Sequence, residues 1–202
     1  SQDYIKTPEE GQPLPGSLNA IAALNSSGFR VVVVSNQSGI GRGLFSETDC
    51  SQITRKMMSA VQAAGGEIAG FYYCPHRPDD GCDCRKPRPG LLERVKADFD
   101  ISLAGIPLIG DKVTDVELAR RVGARPILVL TGYGQDAAAA LDDTGVESFA
   151  DLNGAALALS AELPDRVPSF AVSARSCLPA ICFSPQASTA SSPCSSASCP
   201  VN

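Results

Sequence analysis

The run Phe29 to Val34, which ends in four consecutive valines, restricts the fold more than any other stretch of the chain. β-Branched residues are stiff at χ1 and favour extended backbone. A strand without polar alternation suits burial on both faces, as in a parallel sheet covered by helices. The surrounding pattern agrees, because helix-like and strand-like segments alternate from Leu18 to Leu163 with turn residues between them. The expected fold class is α/β: a Rossmann-like parallel sheet with helices on both faces.

The first helix is expected from about Ser17 to Asn25, ending near Gly28. Asn36 to Gly43 reads as a glycine-rich loop after the valine strand. Ser46 and Asp49 have the spacing of a capping box for a helix that runs to about Ala64 and is closed by Gly65-Gly66. A short strand follows over Ile68 to Tyr73, then a cysteine cluster, then a helix over Gly90 to Asp98. Ile106 to Ile109 is expected as a strand, Thr114 and Glu117 as the cap of a helix to Val122, and Pro126 to Leu130 as the next strand. Weaker helical patterns cover Asp136 to Leu141 and Asp151 to Glu162.

Residues 1–164 thus form the expected domain, and 165–202 a tail of different character. Ser169 to Asn202 holds ten serines, four cysteines, four prolines and one charged residue, Arg175. It is low in complexity and lacks helix or strand periodicity, which fits either a disordered tail or translation in a shifted frame. Its paired C-x4-C spacings come without a histidine or an aromatic anchor and are not read as a zinc site. Charge excludes other classes. With a net charge of -5 and 44% hydrophobic residues, the chain matches neither a nucleic-acid-coating surface nor wholesale disorder. No apolar run reaches the roughly 18 to 20 residues of a membrane span, and no signal peptide is evident at Ser1 to Glu10, so a cytoplasmic monomer acting on a small ligand is expected.

Three of the eight cysteines lie within eleven residues of one another, beside the only histidine. Cys74, His76, Cys82 and Cys84 supply three thiolates and an imidazole, a complete tetrahedral set for Zn²⁺ with no open position for substrate. The polar segment between them, Arg77 to Gly81, lacks the apolar residues to order itself by burial, and a metal would fix it. Reduced free thiols or a redox disulfide are the other readings of the same residues. Arg85 and Lys86 follow at once, just before a helix. A guanidinium and an ammonium together suit a phosphoryl group, although plain solvated charge has the same composition. Two further clusters stand where strands end: Ser35-Asn36-Gln37-Ser38-Gly39, and Gly110-Asp111-Lys112 followed by Asp115. Ligands of doubly wound sheets bind at that edge, and carboxylates there suit a hard cation such as Mg²⁺.

The order S-N-Q-S-G, C-P-H…C-D-C-R-K-P and G-D-K-x-x-D resembles the heptose-bisphosphate phosphatases, in the histidinol-phosphatase branch of the haloacid dehalogenase-like superfamily. The resemblance covers about Gln2 to Asp151 and is most specific where the cysteine loop joins Arg-Lys-Pro. It implies a magnesium-dependent phosphatase that removes the 7-phosphate of D-glycero-D-manno-heptose 1,7-bisphosphate through an aspartyl-phosphate. By the same likeness Ser35 bonds the transferring phosphoryl group, and Asn36, Gln37 and Ser38 line the substrate site. Lys86 stabilises phosphoryl charge, Arg85 recognises substrate, Asp111 binds magnesium and Lys112 contacts substrate. Histidinol phosphate is the alternative substrate.

The family's nucleophile motif, D-x-D at the end of its opening strand, normally precedes the segment matching Gln2-Asp3-Tyr4. The single D-x-D of this sequence, Asp98-Phe99-Asp100, follows a helix and reads as a surface pair at the helix end. The expectation is therefore a domain missing its first strand, either truncated or a zinc-braced sugar-phosphate binder without catalysis. Little turnover and poor solubility are expected of these 202 residues alone.

Overall fold

The computed structural model describes residues 4–141, 145–162 and 171–174. Its strands are β1 (Val31–Asn36), β2 (Gly70–Cys74), β3 (Pro107–Gly110), β4 (Arg125–Val129), β5 (Glu147–Phe149) and β6 (Ala171–Ala174). Its helices are α1 (Ser17–Ser26), α2 (Ser38–Gly41), α3 (Glu47–Ala63), α4 (Gly90–Phe99), α5 (Val113–Arg121), α6 (Gly134–Leu141) and α7 (Leu152–Ala161). All strand pairs are parallel, in the order β2-β1-β6-β3-β4-β5.

The valines of β1 divide the interior in two. Val31 and Val33 face a core made with α1, α3 and α7, where Ala20, Leu24, Val61, Ala155 and Leu159 are buried. Val32 and Val34 face the opposite core, with Leu91, Leu92 and Val95 of α4 and Leu118 of α5. Side chains of a strand alternate between faces, so consecutive valines anchor helices on both sides at once.

Most expected elements are present, with shifted ends. The strand begins at Val31 rather than Phe29 and runs on through Ser35 to Asn36. The glycine-rich segment after it contains the helical turn α2, which docks closely enough that a side chain on Gly41 would lie 2.7 Å from the Pro75 carbonyl. Ser46 and Asp49 do cap α3, the Asp49 N–H donating to Ser46 Oγ at 3.1 Å and the Ser46 N–H to Asp49 Oδ2 at 2.8 Å. Thr114 and Glu117 do not cap α5. The cap is Lys112, two residues earlier, and the helix's third residue, Asp115, accepts from the Lys112 N–H at 3.1 Å. Strand β5 went unseen in the sequence because it is three residues long and largely exposed.

The centre of the sheet departs most from expectation. Residues 171–174 lie within the low-complexity segment, yet they pair with β1 on one side and β3 on the other. The position that the sequence leaves without a strand is thus filled by β6. The remainder of the 165–202 segment, including Cys177, Cys182, Cys194 and Cys199, lies outside the described residues. No helix among the described residues is long and apolar enough to cross a membrane.

If β6 joins the two halves of the sheet, a chain ending at residue 165 exposes the ladder edges of β1 and β3 and aggregates, whereas one ending at residue 178 stays soluble. Light scattering and thermal unfolding distinguish the two; equal solubility and equal cooperative unfolding would remove β6 from the sheet.

Candidate active site and metal centre

Strands β1 and β3 both end at the same edge of the sheet, on either side of β6, and one lysine spans the interval. Lys86 is 5% exposed. Its Nζ donates to the Val34 carbonyl of β1 at 3.0 Å and forms an ion pair with Asp115 Oδ1 of α5 at 3.0 Å. Both partners are almost fully buried, with side-chain exposures of 4% for the lysine and 1% for the aspartate. Desolvating two charges is costly, and the geometry here repays it with short contacts and a further hydrogen bond to each. Asp115 Oδ2 accepts the Lys112 N–H, while the buried Oδ1 faces the Lys86 ammonium as an ion pair and accepts no hydrogen bond. Gly110 makes room for it, since a Cβ there would lie 2.6 Å from Asp115 Oδ2.

The Lys86 backbone is also fixed. Asn36 closes an amide pair across the gap, its Nδ2 donating to the Lys86 carbonyl at 3.1 Å and its Oδ1 accepting the Lys86 N–H at 3.0 Å. Asn36 is expected to line the substrate site, and its amide holds the lysine segment. Ser35 is 1% exposed and accepts from Gln37 Nε2 at 3.0 Å. Ser38 Oγ lies 3.2 Å from the Tyr4 hydroxyl.

Asp111, 2% exposed, stands directly after β3. The Tyr133 N–H donates to its Oδ2 at 3.1 Å, and Gly132 packs so closely that any larger residue would collide with that oxygen. Lys112 turns its ammonium over the Tyr133 ring, 4.3 Å from the centroid, an attraction of the cation–π kind. A carboxylate held by a backbone N–H offers the hard oxygen that Mg²⁺ takes, and Mg²⁺ commonly needs only one or two protein carboxylates besides water and phosphate. Of Asp111 and Asp115, Asp111 suits that task. Asp115 is occupied by Lys86.

The four cysteine-cluster residues converge. Their ligand atoms all lie within 4.8 Å of one another. Cys74 Sγ and Cys84 Sγ each lie 3.5 Å from Cys82 Sγ, and His76 Nδ1 lies 3.5 Å from Cys74 Sγ and 3.2 Å from Cys84 Sγ. A disulfide needs about 2.05 Å, whereas a tetrahedron with arms of about 2.3 Å has edges of roughly 3.8 Å. The cluster therefore has the dimensions of a metal site, and the thiols are not bonded to one another. Cys74 and Cys84 are also part of the α4 and α5 core. Burial pushes the Cys74 thiol up to about 11, and a bound cation would offset that penalty by stabilising the thiolate. The loop is tied to α2 as well, through Gly41 N–H to the Pro75 carbonyl at 3.0 Å and Arg77 Nε to the Gly41 carbonyl at 2.7 Å.

Arg85 leaves the cluster with Nη1 donating to the His76 carbonyl at 3.2 Å. The D-x-D pair lies elsewhere. Asp98 accepts from the Tyr72 hydroxyl at 2.7 Å, and Asp100 ends α4 with φ of 50°. That helix end lies near Arg30, which precedes β1 and stacks on Phe99 at 4.8 Å, so the pair sits towards the strand starts, away from Lys86. Two contributors escaped the sequence reading: Asp115 as the partner of Lys86, and Tyr133 as the backbone support of Asp111. Spacing marked Asp115 as a carboxylate near Asp111 but could not give it a cation 29 residues upstream in the sequence.

Comparison with known proteins places the chain in a family. A family model described as HAD-hydrolase-like matches residues 83–155, and one described as polynucleotide kinase 3 phosphatase matches residues 11–116. D-glycero-β-D-manno-heptose-1,7-bisphosphate 7-phosphatase of Pseudomonas aeruginosa is 43% identical over 159 residues, covering 79% of this chain and 89% of its own length. The protein of the same name from Pseudomonas putida is 46% identical over 135 residues, 67% of this chain and 77% of its own length. The crystal structure of D,D-heptose 1,7-bisphosphate phosphatase from B. bronchiseptica, complexed with magnesium and phosphate, superimposes with a TM-score of 0.77 at 40% identity, covering 80% of this chain and 91% of that one. This chain belongs to the D-glycero-β-D-manno-heptose-1,7-bisphosphate 7-phosphatase family of HAD-like hydrolases.

Proposed function

We propose that the chain acts on the 7-phosphate of D-glycero-D-manno-heptose 1,7-bisphosphate as a phosphoric monoester hydrolase. The observation that carries this reading is the buried Lys86 ammonium, fixed between Val34 and Asp115 at the strand-end edge that also bears Asp111. Phosphoryl transfer depends chiefly on positioning and on neutralising charge over the phosphoryl oxygens. Lys86 supplies a preorganised positive charge that needs no rearrangement during reaction. Ser35 offers a hydroxyl to a phosphoryl oxygen, and Gln37 holds that hydroxyl in place. Gln37, Ser38, Arg85 and Lys112 surround the same edge and would orient the sugar phosphate. Asp111 would hold Mg²⁺, which when bound neutralises phosphoryl charge. Cys74, His76, Cys82 and Cys84 would hold Zn²⁺ in a closed set, so its role is to brace the loop that delivers Arg85 and Lys86. Among the described residues, the D-x-D pair supplies no nucleophile here, and these residues account for recognition and charge neutralisation.

Calorimetry and a phosphate-release assay with heptose 1,7-bisphosphate and histidinol phosphate test the reading. We expect magnesium-dependent binding of the heptose bisphosphate, at least about tenfold tighter than that of histidinol phosphate. Equal affinity, or none for either, would overturn it. Release accompanying binding identifies complete catalysis in these residues; binding alone assigns them the recognition half of the reaction.

The lysine's structural and electrostatic roles separate in a double variant. Lys86→Met leaves Asp115 buried without its cation and is expected to cost about 3–5 kcal/mol in urea unfolding. Combining it with Asp115→Asn removes the orphaned charge and restores most of that stability, while affinity for the bisphosphate remains low. Recovered affinity would show that the ammonium does not meet the phosphate.

Metal removal should loosen one loop. The metal-loaded protein is expected to contain about one zinc per chain, and chelation should make the Arg77–Gly81 segment sensitive to Glu-C protease, which in phosphate buffer cuts after aspartates such as Asp79 and Asp80. Unchanged cleavage after complete chelation would deny the metal a bracing role.

A further inference from the structure

Tyr133 stands between two glycines in the turn that joins β4 to α6. Gly132 has φ of 64°, and a side chain on Gly134 would collide with the Val129 carbonyl, so both neighbours keep a tight backbone that larger residues do not fit. The Gly134 N–H donates to the Thr131 carbonyl at 3.0 Å, and the Ala137 N–H to the Tyr133 carbonyl at 2.9 Å, which closes the turn and starts the helix. The turn presents two different groups of Tyr133 to the end of β3. Its N–H donates to Asp111 Oδ2 at 3.1 Å, and its ring lies against the Lys112 ammonium, with Nζ 4.3 Å from the centroid.

Core packing does not account for the ring. Val116, Leu128 and Ala137 form the apolar cluster beside α6, and among the described residues Tyr133 belongs to none of the hydrophobic clusters. Lys112 has the complementary feature. Its backbone is fixed by the N–H bond to Asp115 Oδ2 at 3.1 Å, but its side chain is a flexible four-carbon stem, and among the described residues no carboxylate pairs with its ammonium. Ordering such a stem when a ligand arrives opposes binding. The ring meets one side of the ammonium before any ligand is present and leaves N–H donors for a ligand oxygen.

We propose that Tyr133 is a positioning residue for substrate recognition: its ring fixes the Lys112 ammonium towards the sugar phosphate, while its backbone N–H fixes Asp111 independently. The inference rests on the phosphatase reading above, in which Lys112 orients the substrate. The two tasks are separable, because only the first depends on the side chain. Removing the ring weakens recognition of the sugar phosphate and leaves Mg²⁺ binding at Asp111 unaltered, whereas a collapsed turn harms both. The ring face makes the contact, so phenylalanine serves as well as tyrosine.

The test compares the full chain with Tyr133→Phe, Tyr133→Leu, Lys112→Met and Lys112→Met/Tyr133→Leu, each titrated by calorimetry with heptose 1,7-bisphosphate and, separately, with Mg²⁺. Tyr133→Leu is expected to weaken bisphosphate binding about three- to fivefold, the size of a partly exposed cation–π contact, and Tyr133→Phe to stay within about 1.5-fold of the parent. With Lys112→Met already present, Tyr133→Leu should add less than about 1.5-fold, because two residues acting through one contact are not additive. NMR gives a reading that needs no ligand. The Lys112 ε-methylene protons, assigned by their loss in Lys112→Met, are expected upfield under the ring current in the parent and in Tyr133→Phe, and at the ordinary lysine position in Tyr133→Leu. A loss of the same size in the Lys112→Met background, a parallel loss of Mg²⁺ affinity, a phenylalanine variant as weak as the leucine one, or ε-methylene shifts indifferent to the ring would each overturn the inference. Absence of bisphosphate binding in the parent counts against the phosphatase reading instead, and the ε-methylene shifts then decide whether the ring holds the lysine.

Discussion

The contact on which the site depends is the bond of a buried ammonium to a strand carbonyl and a buried carboxylate. Lys86 reaches from the cysteine loop to the end of β1 and to the start of α5, and so ties together three segments remote in sequence. A charge so deeply buried is tolerated only with its partner, and this makes the partner's position as constrained as its own. Gly110, the capping bond to Lys112 and the amide clasp of Asn36 all follow from that need. The position of the ammonium at the strand ends is thereby a fixed property of the fold rather than the average of a mobile side chain.

The cysteine cluster extends the same logic outward. It belongs to the hydrophobic core on one side, through Cys74 and Cys84, and supports charged residues on the other, through the carbonyls of His76 and Cys82. A polar segment with prolines and little apolar surface gains its order from that junction. The arginines are consequently positioned by backbone acceptors, which leaves their charge available to a ligand.

Much of this was legible in the sequence because it rests on local rules. Four valines in a row announce a strand buried on both faces, and the Ser46–Asp49 cap and the density of thiols around His76 need no tertiary information. The pairings that cross the chain were not legible. Nothing local to Asp115 distinguishes a metal ligand from the partner of Lys86, and nothing local to Asn36 tells a substrate contact from a clasp on another backbone. Helix capping at α5 was misread for a similar reason, since Thr114–Glu117 and Lys112–Asp115 both offer a plausible spacing and only the fold selects between them. Strand β6 shows the limit most clearly, because four small residues without alternation acquire their structure entirely from the ladders on either side.

The place of β6 in the sheet also sets an order of assembly. The half containing β1 and β2 and the half containing β3, β4 and β5 are complete in the chain well before residue 171, but the ladder between them needs the strand that is made last. During synthesis the two halves would wait with facing open edges, and closure would bring together residues about 140 positions apart in β1 and β6. Contacts of such long sequence separation slow folding, and open strand edges invite pairing with other chains. The sheet's central seam is thus its latest-forming part, and the time that seam spends open is a property of the chain's topology as much as of its stability.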